Sequence, residues 1–385
     1  MIVNENIYFD NNSTTKIDPF VLDAMLPFLT ERFGNASSSH EFGNDANLAV
    51  KNSRSILAKL LGCEAHEIVF TSGATEAVNF ALKGIVEQSD QKKPHIITCL
   101  TEHSAVLDTC RYLENKGVSV TYLPVSTEGF IDIKEFEDAI TSSTILACIM
   151  HVNNETGVIQ PINLLSEIAH KHNFLFMSDA TQAIGKLPVN VYSSGIDILC
   201  FSGHKFYGPK GIGGLFIRAK RPFKVRPIPL LHGGGQEFGL RSGTLNVPGI
   251  VGMGKAAEII LKNFSEENLA IRRLRDKLES TLLSLEGAIL NGDRSHRTSN
   301  TTSICFRGVD ADALMVGLKN ISLSNGSACS ALSMEPSHVL KAMGRSDIEA
   351  FSTIRFSLGR FNTEFEIDYV SKMVQKVVSD LRQLV

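Results

Sequence analysis

The sequence predicts an α/β protein with a mainly parallel central sheet, helices on both faces of that sheet, and a smaller α+β domain. From about residue 65 to 220, short apolar runs of strand length alternate with helical patterns. This alternation is typical of parallel sheets covered on both sides. A chain of 385 residues exceeds one average domain, so two domains are expected. We assign residues 16–250 to the large domain and residues 1–15 with 251–385 to the small one.

The elements of the large domain follow from their apolar runs. In chain order the predicted strands are EIVFTS, HIITCL, SVTYLPV, ILACIMHV, FLFMSDA, DILCFSG and GGLFIRA. Helical stretches fall between some of them, at 75–87, 103–116 and 164–172. The glycines of GPKGIGG, just before the last strand, are expected to permit a tight turn between two strands.

The second domain begins after a polar, Gly-rich stretch at 231–249. A long helix, starting near 251 and extending past 264, is expected to bridge to it. Beyond that helix, TTSICF, NISLSN and STIRFSLG predict strands, and 311–318, 337–342 and 364–384 predict helices.

Composition excludes several classes of function. The formal net charge of −3 provides no electrostatic surface for nucleic acid or for an anionic membrane. No apolar run approaches the roughly 18–20 residues that a membrane span needs. The N-terminal sequence MIVNENIYFDNN lacks the pattern of a signal peptide. We therefore expect a cytoplasmic protein that contacts neither membrane nor nucleic acid directly.

The seven cysteines show no CxxC pair and no spacing typical of a metal site. No metal is therefore expected. Six of them lie in apolar or helical patterns and are expected to be small buried hydrophobic residues: Cys63, Cys99, Cys110, Cys148, Cys200 and Cys305. Only Cys329, in SNGSACSALSMEPS, lies among Gly, Ser and Ala outside any apolar element. Cys329 is the candidate for chemistry.

Polar side chains follow five of the predicted strands, at the edge of a parallel sheet where ligands bind. They supply a hydroxyl-rich turn opening a helix, a histidine, an amide, a carboxylate and a lysine. In chain order these groups are the turn at 71–75, Glu102 with His103, Asn153 to Glu155, Asp179 with Gln182, and Ser202 with His204 and Lys205. Convergence of this kind predicts one functional pocket.

Three of these groups meet the separate requirements of pyridoxal 5′-phosphate (PLP). Its aldehyde needs a lysine for a Schiff base, and Lys205 provides the amine. Its pyridine nitrogen needs a carboxylate, and Asp179 provides one. Its phosphate needs backbone N–H groups at a helix N-terminus, which the turn at 73–75 can present. The pocket is therefore predicted to bind PLP.

The sequence resembles the cysteine desulfurases of the iron–sulfur-cluster and nitrogen-fixation class. The motifs that carry the resemblance run from about residue 7 to the C-terminus. They are FTSGATEAVN, TEHSAVLDTCR, HVNNETGVIQP, DATQAIGKLP, FSGHKFYGPKGIG, HGGGQE, RSGTLNVP, NGSACS and IRFSLGR. The resemblance implies the type I PLP-dependent transferase fold of the class V aminotransferase family and a homodimer.

Residue by residue, the resemblance implies how the cofactor is held. Lys205 corresponds to the Schiff-base lysine, Asp179 to the partner of the pyridine nitrogen, and Gln182 to the partner of the phenolic oxygen. His103 corresponds to the residue stacked on the ring, a candidate acid or base. The remaining cofactor contacts that it implies are Ala74, Thr75, Asn154, Ser202, His204 and Thr244. Thr244 would reach the phosphate from the other subunit.

The resemblance also implies the substrate and the nucleophile. Asn154 and Arg355 correspond to residues that hold the carboxylate of L-cysteine, a task suited to a guanidinium. Cys329 corresponds to the nucleophile that takes the sulfur as a persulfide and releases L-alanine. Its Gly- and Ser-rich flanks, within 325–337, suggest a long loop in the small domain that carries the sulfur to an acceptor protein.

Two alternatives stay open beside the desulfurase. The first is another type I PLP enzyme, such as a selenocysteine lyase or an aminotransferase, and Cys329 argues against a simple aminotransferase. The second is a non-catalytic sulfur-carrier scaffold, and the presence of both Lys205 and Cys329 argues against it.

The sulfur acceptor is not encoded in these motifs. Iron–sulfur cluster assembly, tRNA thiolation and DNA phosphorothioation are all candidate pathways. The chain reaches Val385 soon after the last predicted helix, without the C-terminal extension by which some relatives engage a scaffold protein. That difference favours a dedicated acceptor.

Overall fold

A computed structural model describes residues 6–325 and 335–383 of the chain. In the described residues the strands, numbered along the chain, are β1 (Ile7–Tyr8), β2 (Ile68–Thr71), β3 (His95–Cys99), β4 (Ser119–Leu123), β5 (Thr144–Cys148), β6 (Leu175–Asp179), β7 (Ile198–Ser202), β8 (Gly213–Ile217), β9 (Ala288–Leu290), β10 (Thr301–Phe306), β11 (Ile321–Ser322) and β12 (Thr353–Ser357). The helices are α1 (Pro19–Met25), α2 (Glu41–Leu61), α3 (Ala74–Gln88), α4 (Ser104–Glu114), α5 (Ile133–Asp138), α6 (Ile162–Lys171), α7 (Val247–Leu283), α8 (Ala311–Gly317), α9 (His338–Ala342), α10 (Asp347–Phe351) and α11 (Glu364–Arg382).

The central sheet has seven strands in the order β2-β8-β7-β6-β5-β3-β4. Only β8 runs antiparallel to its neighbours, β2 and β7, among these strands. The connection between β7 and β8 places Ser202 opposite Gly213, and Gly211 has a φ of 76° there. The prediction of a mainly parallel sheet is confirmed, and β7 and β8 are joined by a connection of ten residues rather than by one tight turn.

Both faces of the sheet are buried, because successive residues of each strand enter opposite cores. Phe176 of β6 packs into a core with α2, α6 and the first part of α7. Its neighbour Met177 packs into a second core with α3 and α4. The fold class predicted from the sequence, an α/β sheet with helices on both faces, is therefore confirmed.

A third core lies around the antiparallel sheet β12-β10-β9 and the helices α8 and α11. The helix α7 enters two cores: Ile250 and Ile260 pack in the core beside the central sheet, whereas Ile271 and Leu282 pack in the third. β1 pairs with β11, which joins the N-terminal residues to this part of the molecule. These cores support the division into 16–250 and 1–15 with 251–385, which stays a prediction.

The cysteines within the described residues follow the predicted pattern. Cys99, Cys110, Cys148, Cys200 and Cys305 are buried and free, and Cys63 is half-buried. Among the residues that the structure describes, no helix is long and apolar enough to cross a membrane. Within the same two ranges, no cluster of three or more His, Cys, Asp or Glu side chains could hold a metal ion.

Candidate active site

The carboxyl ends of β2, β5, β6 and β7 open into one cavity of about 580 Å³. Polar groups collect at this edge because parallel strands end on the same side of a sheet. The cavity is lined by ten of the residues predicted from the sequence: Ala74, Thr75, His103, Asn154, Asp179, Gln182, Ser202, His204, Lys205 and Arg355. The predicted convergence of polar groups is therefore found in the fold.

The first wall of the cavity is the N-terminus of α3, which follows β2 through the turn at 72–73. Backbone N–H groups are unsatisfied at the start of a helix and attract anions. The turn packs close to β8, since a Cβ on Gly213 would lie 2.7 Å from the Gly73 Cα. A Cβ on Gly73 would lie 3.8 Å from the Ser202 hydroxyl oxygen. The Ser202 hydroxyl therefore faces the same turn.

Lys205 ends a short 3₁₀ turn, Gly203–Lys205, directly after β7. Its Nζ donates to the carbonyl oxygens of Asn12 at 2.6 Å and Ser13 at 2.8 Å. Both acceptors belong to the segment after β1, far away in sequence. The amine is thus held at the cavity by backbone oxygens that come from another part of the chain.

Asp179 is the last residue of β6 and is buried. Its Oδ1 accepts the backbone N–H of Thr181 at 2.9 Å, which fixes the rotamer of the carboxylate. Gln182 lies one turn further along the chain, and its Nε2 donates to the Asn12 carbonyl at 2.9 Å. Lys205, Asp179 and Gln182 therefore converge from two neighbouring strands, as the sequence predicts.

The two histidines of the cavity have defined hydrogen bonds. His103 is the N-cap of α4, and its Nδ1 accepts the Ala105 N–H at 3.1 Å. A neutral His103 ring therefore carries its proton on Nε2. Nδ1 of His204 lies 3.1 Å from the Thr14 hydroxyl oxygen. Burial, together with the charges of Lys205 and Lys210, lowers the pKa of His204 to about 4, so the ring is neutral near pH 7.

Arg355 of β12 brings a buried guanidinium to the side of the cavity opposite the sheet. Its NH2 group lies 2.6 Å from the Asp10 carboxylate and 2.8 Å from the Ser13 hydroxyl oxygen. Its NH1 group donates to the Asn154 carbonyl at 3.0 Å. Within the described ranges its buried Nε–H has no hydrogen-bond partner. The guanidinium is held firmly at the cavity and has an unsatisfied donor.

The segment after β1 is part of the site, although the sequence patterns did not indicate it. Asn12, Ser13 and Thr14 line the cavity, and Asp10 pairs with Arg355. The available signal was the polar run DNNSTT directly after the apolar residues of β1. A run of this kind is also typical of a surface loop, so the sequence alone did not distinguish the two.

Among the described residues, Thr244 is a predicted cofactor contact that is not brought to the cavity of this chain. Thr244 is exposed and does not line the cavity. The segment before it is anchored at two points: Glu237 pairs with Arg54, and Arg241 pairs with Glu76. Cys329 lies outside the described residues.

The residues present fit PLP. The cavity combines a lysine amine, a buried carboxylate and a helix N-terminus beside a serine hydroxyl and a neutral histidine. These groups complement an aldehyde, a pyridine nitrogen and a phosphate, respectively.

Comparisons with known proteins agree with this geometry. Residues 7–370 match the aminotransferase class-V family, and the chain therefore belongs to that family. A relative named cysteine desulfurase IscS, from Rickettsia prowazekii (strain Madrid E), is 46% identical over 380 residues, which cover 98% of this chain and 92% of the relative.

Two solved structures are also similar. A NifS-like protein superposes with a TM-score of 0.90 at 42% identity, covering 97% of this chain and 99% of that one. SspA in complex with cysteine superposes with a TM-score of 0.82 at 39% identity, covering 93% of this chain and all (100%) of the other. The predicted family, fold and enzyme class, a cysteine desulfurase of the class-V aminotransferase family, are confirmed.

Proposed function

We propose that this chain converts L-cysteine to L-alanine in the cavity at the sheet edge and passes the sulfur, as a persulfide on Cys329, to an acceptor protein. One observation carries the proposal: Lys205, Asp179 and the N-terminus of α3 line a single cavity. The cavity is in a chain whose relatives are cysteine desulfurases.

PLP is the cofactor that this donor set would hold. Lys205 would bind its aldehyde, Asp179 its pyridine nitrogen and Gln182 its phenolic oxygen. The imidazole of His103 would lie on its ring. Its phosphate would be bound by Ala74, Thr75, Ser202 and His204, and Asn154 would complete the contacts on this side. When bound, PLP supplies an electron sink for the charge that develops at the α-carbon of an amino acid.

The side chains of this chain would then carry the protons. Lys205 is the amine nearest to the strand end and would take the α-proton of the substrate. The backbone contact at Nδ1 of His103 leaves Nε2 as the atom that carries the proton of the neutral ring. Nε2 would therefore be the position for proton exchange with the substrate.

Arg355 would bind the substrate carboxylate, with Asn154 beside it. The guanidinium is buried, and its orientation is fixed by Asp10 and by the Asn154 carbonyl. A planar guanidinium has donors left for a second anion after binding one carboxylate oxygen. Asp10 would set the angle from which the substrate carboxylate meets Arg355.

Cys329 would be the nucleophile. Its thiolate attacks the sulfur of the substrate, the Cβ–S bond of L-cysteine breaks and an S–S bond forms. The thiol proton of the enzyme and that of the substrate are retained overall, one in the methyl group of L-alanine and one on the persulfide. An ordinary thiol is only a few per cent thiolate near pH 7, so a local group must assist its ionisation.

The test separates the two halves of the proposal. Cys329→Ala should bind L-cysteine, detected as a change in the visible absorption of the bound cofactor, and form no L-alanine. Borohydride followed by peptide mass analysis should place a reduced PLP adduct on Lys205. Turnover by Cys329→Ala at the wild-type rate would remove Cys329 from the reaction. Supplying L-selenocysteine, or an amino acid with a keto acid, would detect the lyase and aminotransferase alternatives.

The active unit would be a homodimer, with Thr244 completing the phosphate site of the partner subunit. Thr244 is exposed in its own chain. Apolar side chains are also exposed on the first helices and nearby turns: Phe20, Leu26, Leu29, Phe33 and Phe42. A mixed dimer of Lys205→Ala and Thr244→Ala chains tests this, since one of its two sites would be intact. Recovered activity is the expected result, and no recovery would contradict a shared site.

The acceptor would be a protein of the cytoplasm. Iron–sulfur cluster assembly, tRNA thiolation and DNA phosphorothioation are the pathways that fit a persulfide donor. Transfer of radiolabelled sulfur from the persulfide form into a lysate of the source organism would identify the acceptor.

A further inference from the structure

Lys186 is a second lysine close to the reacting end of the cavity. It follows Gly185, whose φ is 79°, in the turn region after β6. Its stem lines a separate cleft with Leu187 and Pro188. Its Nζ reaches the other way, toward the residues that surround Lys205. The function proposed above uses no property of Lys186.

Within the described residues, the Lys186 Nζ makes two hydrogen bonds, both to side-chain amide oxygens. It donates to Oε1 of Gln182, four residues earlier in the chain. It also donates to Oδ1 of Asn12 at 3.2 Å. Lys186 therefore links two side chains that come from distant parts of the sequence.

The first contact determines which end of the Gln182 amide faces the cavity. An ammonium group has only N–H donors, so the atom of Gln182 beside it must be the oxygen. The Gln182 nitrogen is then turned toward the Asn12 carbonyl, to which it donates at 2.9 Å. Without Lys186, the choice between the two orientations of the amide would depend on the Asn12 carbonyl alone among the contacts described for Gln182.

The second contact fixes Asn12, whose carbonyl accepts from Lys205 together with that of Ser13. The Asn12 carbonyl oxygen lies 2.6 Å from the Lys205 Nζ. Asn12 is also tied to Thr301 and Asn154 through its Nδ2. Lys186 thus contacts both the residue that positions Lys205 and the amide beside it.

We propose that Lys186 is a positioning residue that fixes the Gln182 amide with an N–H group directed into the cavity beside Lys205. Lys186 acts on the cofactor only through Gln182 and Asn12, without touching it. The inference rests on the function proposed above, because it assigns the second N–H of Gln182 Nε2, the one not donated to Asn12, to an oxygen of bound PLP.

The electrostatic setting of Lys186 agrees with this role. Burial, together with the charges of Lys205 and Arg355, lowers its pKa well below the usual range for lysine. A neutral amine still has two N–H groups, which match the two amide oxygens. A neutral amine can also accept a hydrogen bond, and the Asn12 carbonyl, which can only accept, then selects the same orientation of the Gln182 amide.

The test is a double-mutant cycle between Lys186→Met and Gln182→Ala in the full-length holoenzyme. Alone, Lys186→Met should change the visible absorption band of bound PLP and raise the dissociation constant of PLP about tenfold. That factor is the upper end of what one ordinary intramolecular hydrogen bond contributes. The KM for L-cysteine should stay the same, since Lys186 is not assigned to the substrate. In the Gln182→Ala background, Lys186→Met should change the dissociation constant less than about twofold.

Two further variants separate positioning from a general effect on folding. Lys186→Arg keeps a donor-only group, and its dissociation constant for PLP should remain within about threefold of the wild-type value. Lys186→Gln can offer either an oxygen or a nitrogen to Gln182 and should behave like Lys186→Met. Lys171 is an exposed lysine on α6, and Lys171→Met is the matched control. This variant should leave the visible absorption band and the affinity for PLP unchanged.

The outcomes are distinct. A tenfold loss of PLP affinity in both the wild-type and Gln182→Ala backgrounds would overturn the inference, as would a native band in both Lys186→Met and Lys186→Gln. If the wild-type protein bound no PLP at Lys205, the proposed function would fail, and this inference with it.

Discussion

The two sides of the cavity are built in different ways. The sheet side consists of residues at the carboxyl ends of strands of one sheet or within a few residues of them, such as Thr75, Asp179 and Lys205. The opposite side joins the segment after β1 to Arg355 of β12 through hydrogen bonds between residues more than 300 positions apart. The first is fixed by the sheet, and the second is fixed by a network of polar contacts.

This difference predicts different responses to mutation. On the sheet side, a substitution removes a chemical group and leaves the strand ends in place. On the opposite side, a substitution also releases neighbours, because Asp10, Ser13 and Asn154 all bond to the same guanidinium. Changes there should affect substrate binding and local stability together.

The largest effect is expected on the sheet side, at the amine. Lys205→Ala should lower kcat/KM for L-cysteine by at least about 10³-fold, since both cofactor attachment and proton transfer are lost. Formation of L-alanine measures the effect. The melting temperature should stay close to wild type, and a large drop would mean that Lys205 is part of the framework instead.

The buried ion pair that packs against β2 provides the next test. Glu237 is buried; its Oε2 accepts the Phe70 N–H at 2.7 Å, and it pairs with the buried Arg54. Glu237→Ala leaves a buried guanidinium without its carboxylate, which costs about 3–5 kcal/mol of stability. Urea unfolding measures this. Glu237→Gln keeps an acceptor and should lose less; equal losses would contradict a role for the charge.

Arg355 tests the opposite side. Arg355→Lys keeps one positive charge for Asp10 and loses the planar fork of donors. We expect the KM for L-cysteine to rise by about 10- to 100-fold, with a smaller change in kcat. Steady-state kinetics measures both values. An unchanged KM would assign Arg355 to the framework alone and would remove it from substrate binding.

The smallest effect concerns pH. Burial lowers the pKa of His151, which lies between β5 and Asn153 in the chain, to about 4. The unfolded state binds a proton from about pH 6.5 downward, and the folded state binds it only near pH 4. Stability should therefore fall as the pH drops through this window, by at most about 1.4 kcal/mol per pH unit from this group.

His151→Asn should reduce that slope, measured as the urea midpoint at several pH values between 7 and 4. The exposed His66 gives the matched control, since His66→Asn should leave the slope unchanged. An identical slope in His151→Asn and wild type would refute the assignment.

Much of the sheet side could be predicted from the sequence. Strand length, apolar content and the polar residue directly after each strand are local signals, and they identified Asp179, Ser202 and Lys205 correctly as neighbours. The N-terminus of α3 was also indicated by a local signal, because a glycine directly precedes the first helical residue. Parallel strands then bring these residues together whatever the remaining sequence is.

The opposite side could not be predicted in the same way. That the Asn12 carbonyl accepts from Lys205 depends on β1 pairing with β11, a contact between positions 7 and 321. The type of a residue does not indicate which donor its backbone carbonyl will accept from. Lys186 illustrates a related limit: the sequence shows a lysine after a glycine, and only the fold shows that its amine reaches Gln182.

The continuous helix α7 has a mechanical consequence. Its first turns are embedded beside the central sheet and its last turns beside the antiparallel sheet. A hinge between those bodies would have to break consecutive backbone hydrogen bonds within a single rod. Spin labels at the exposed positions Lys262 and Arg273 would therefore report one narrow distance distribution throughout the catalytic cycle.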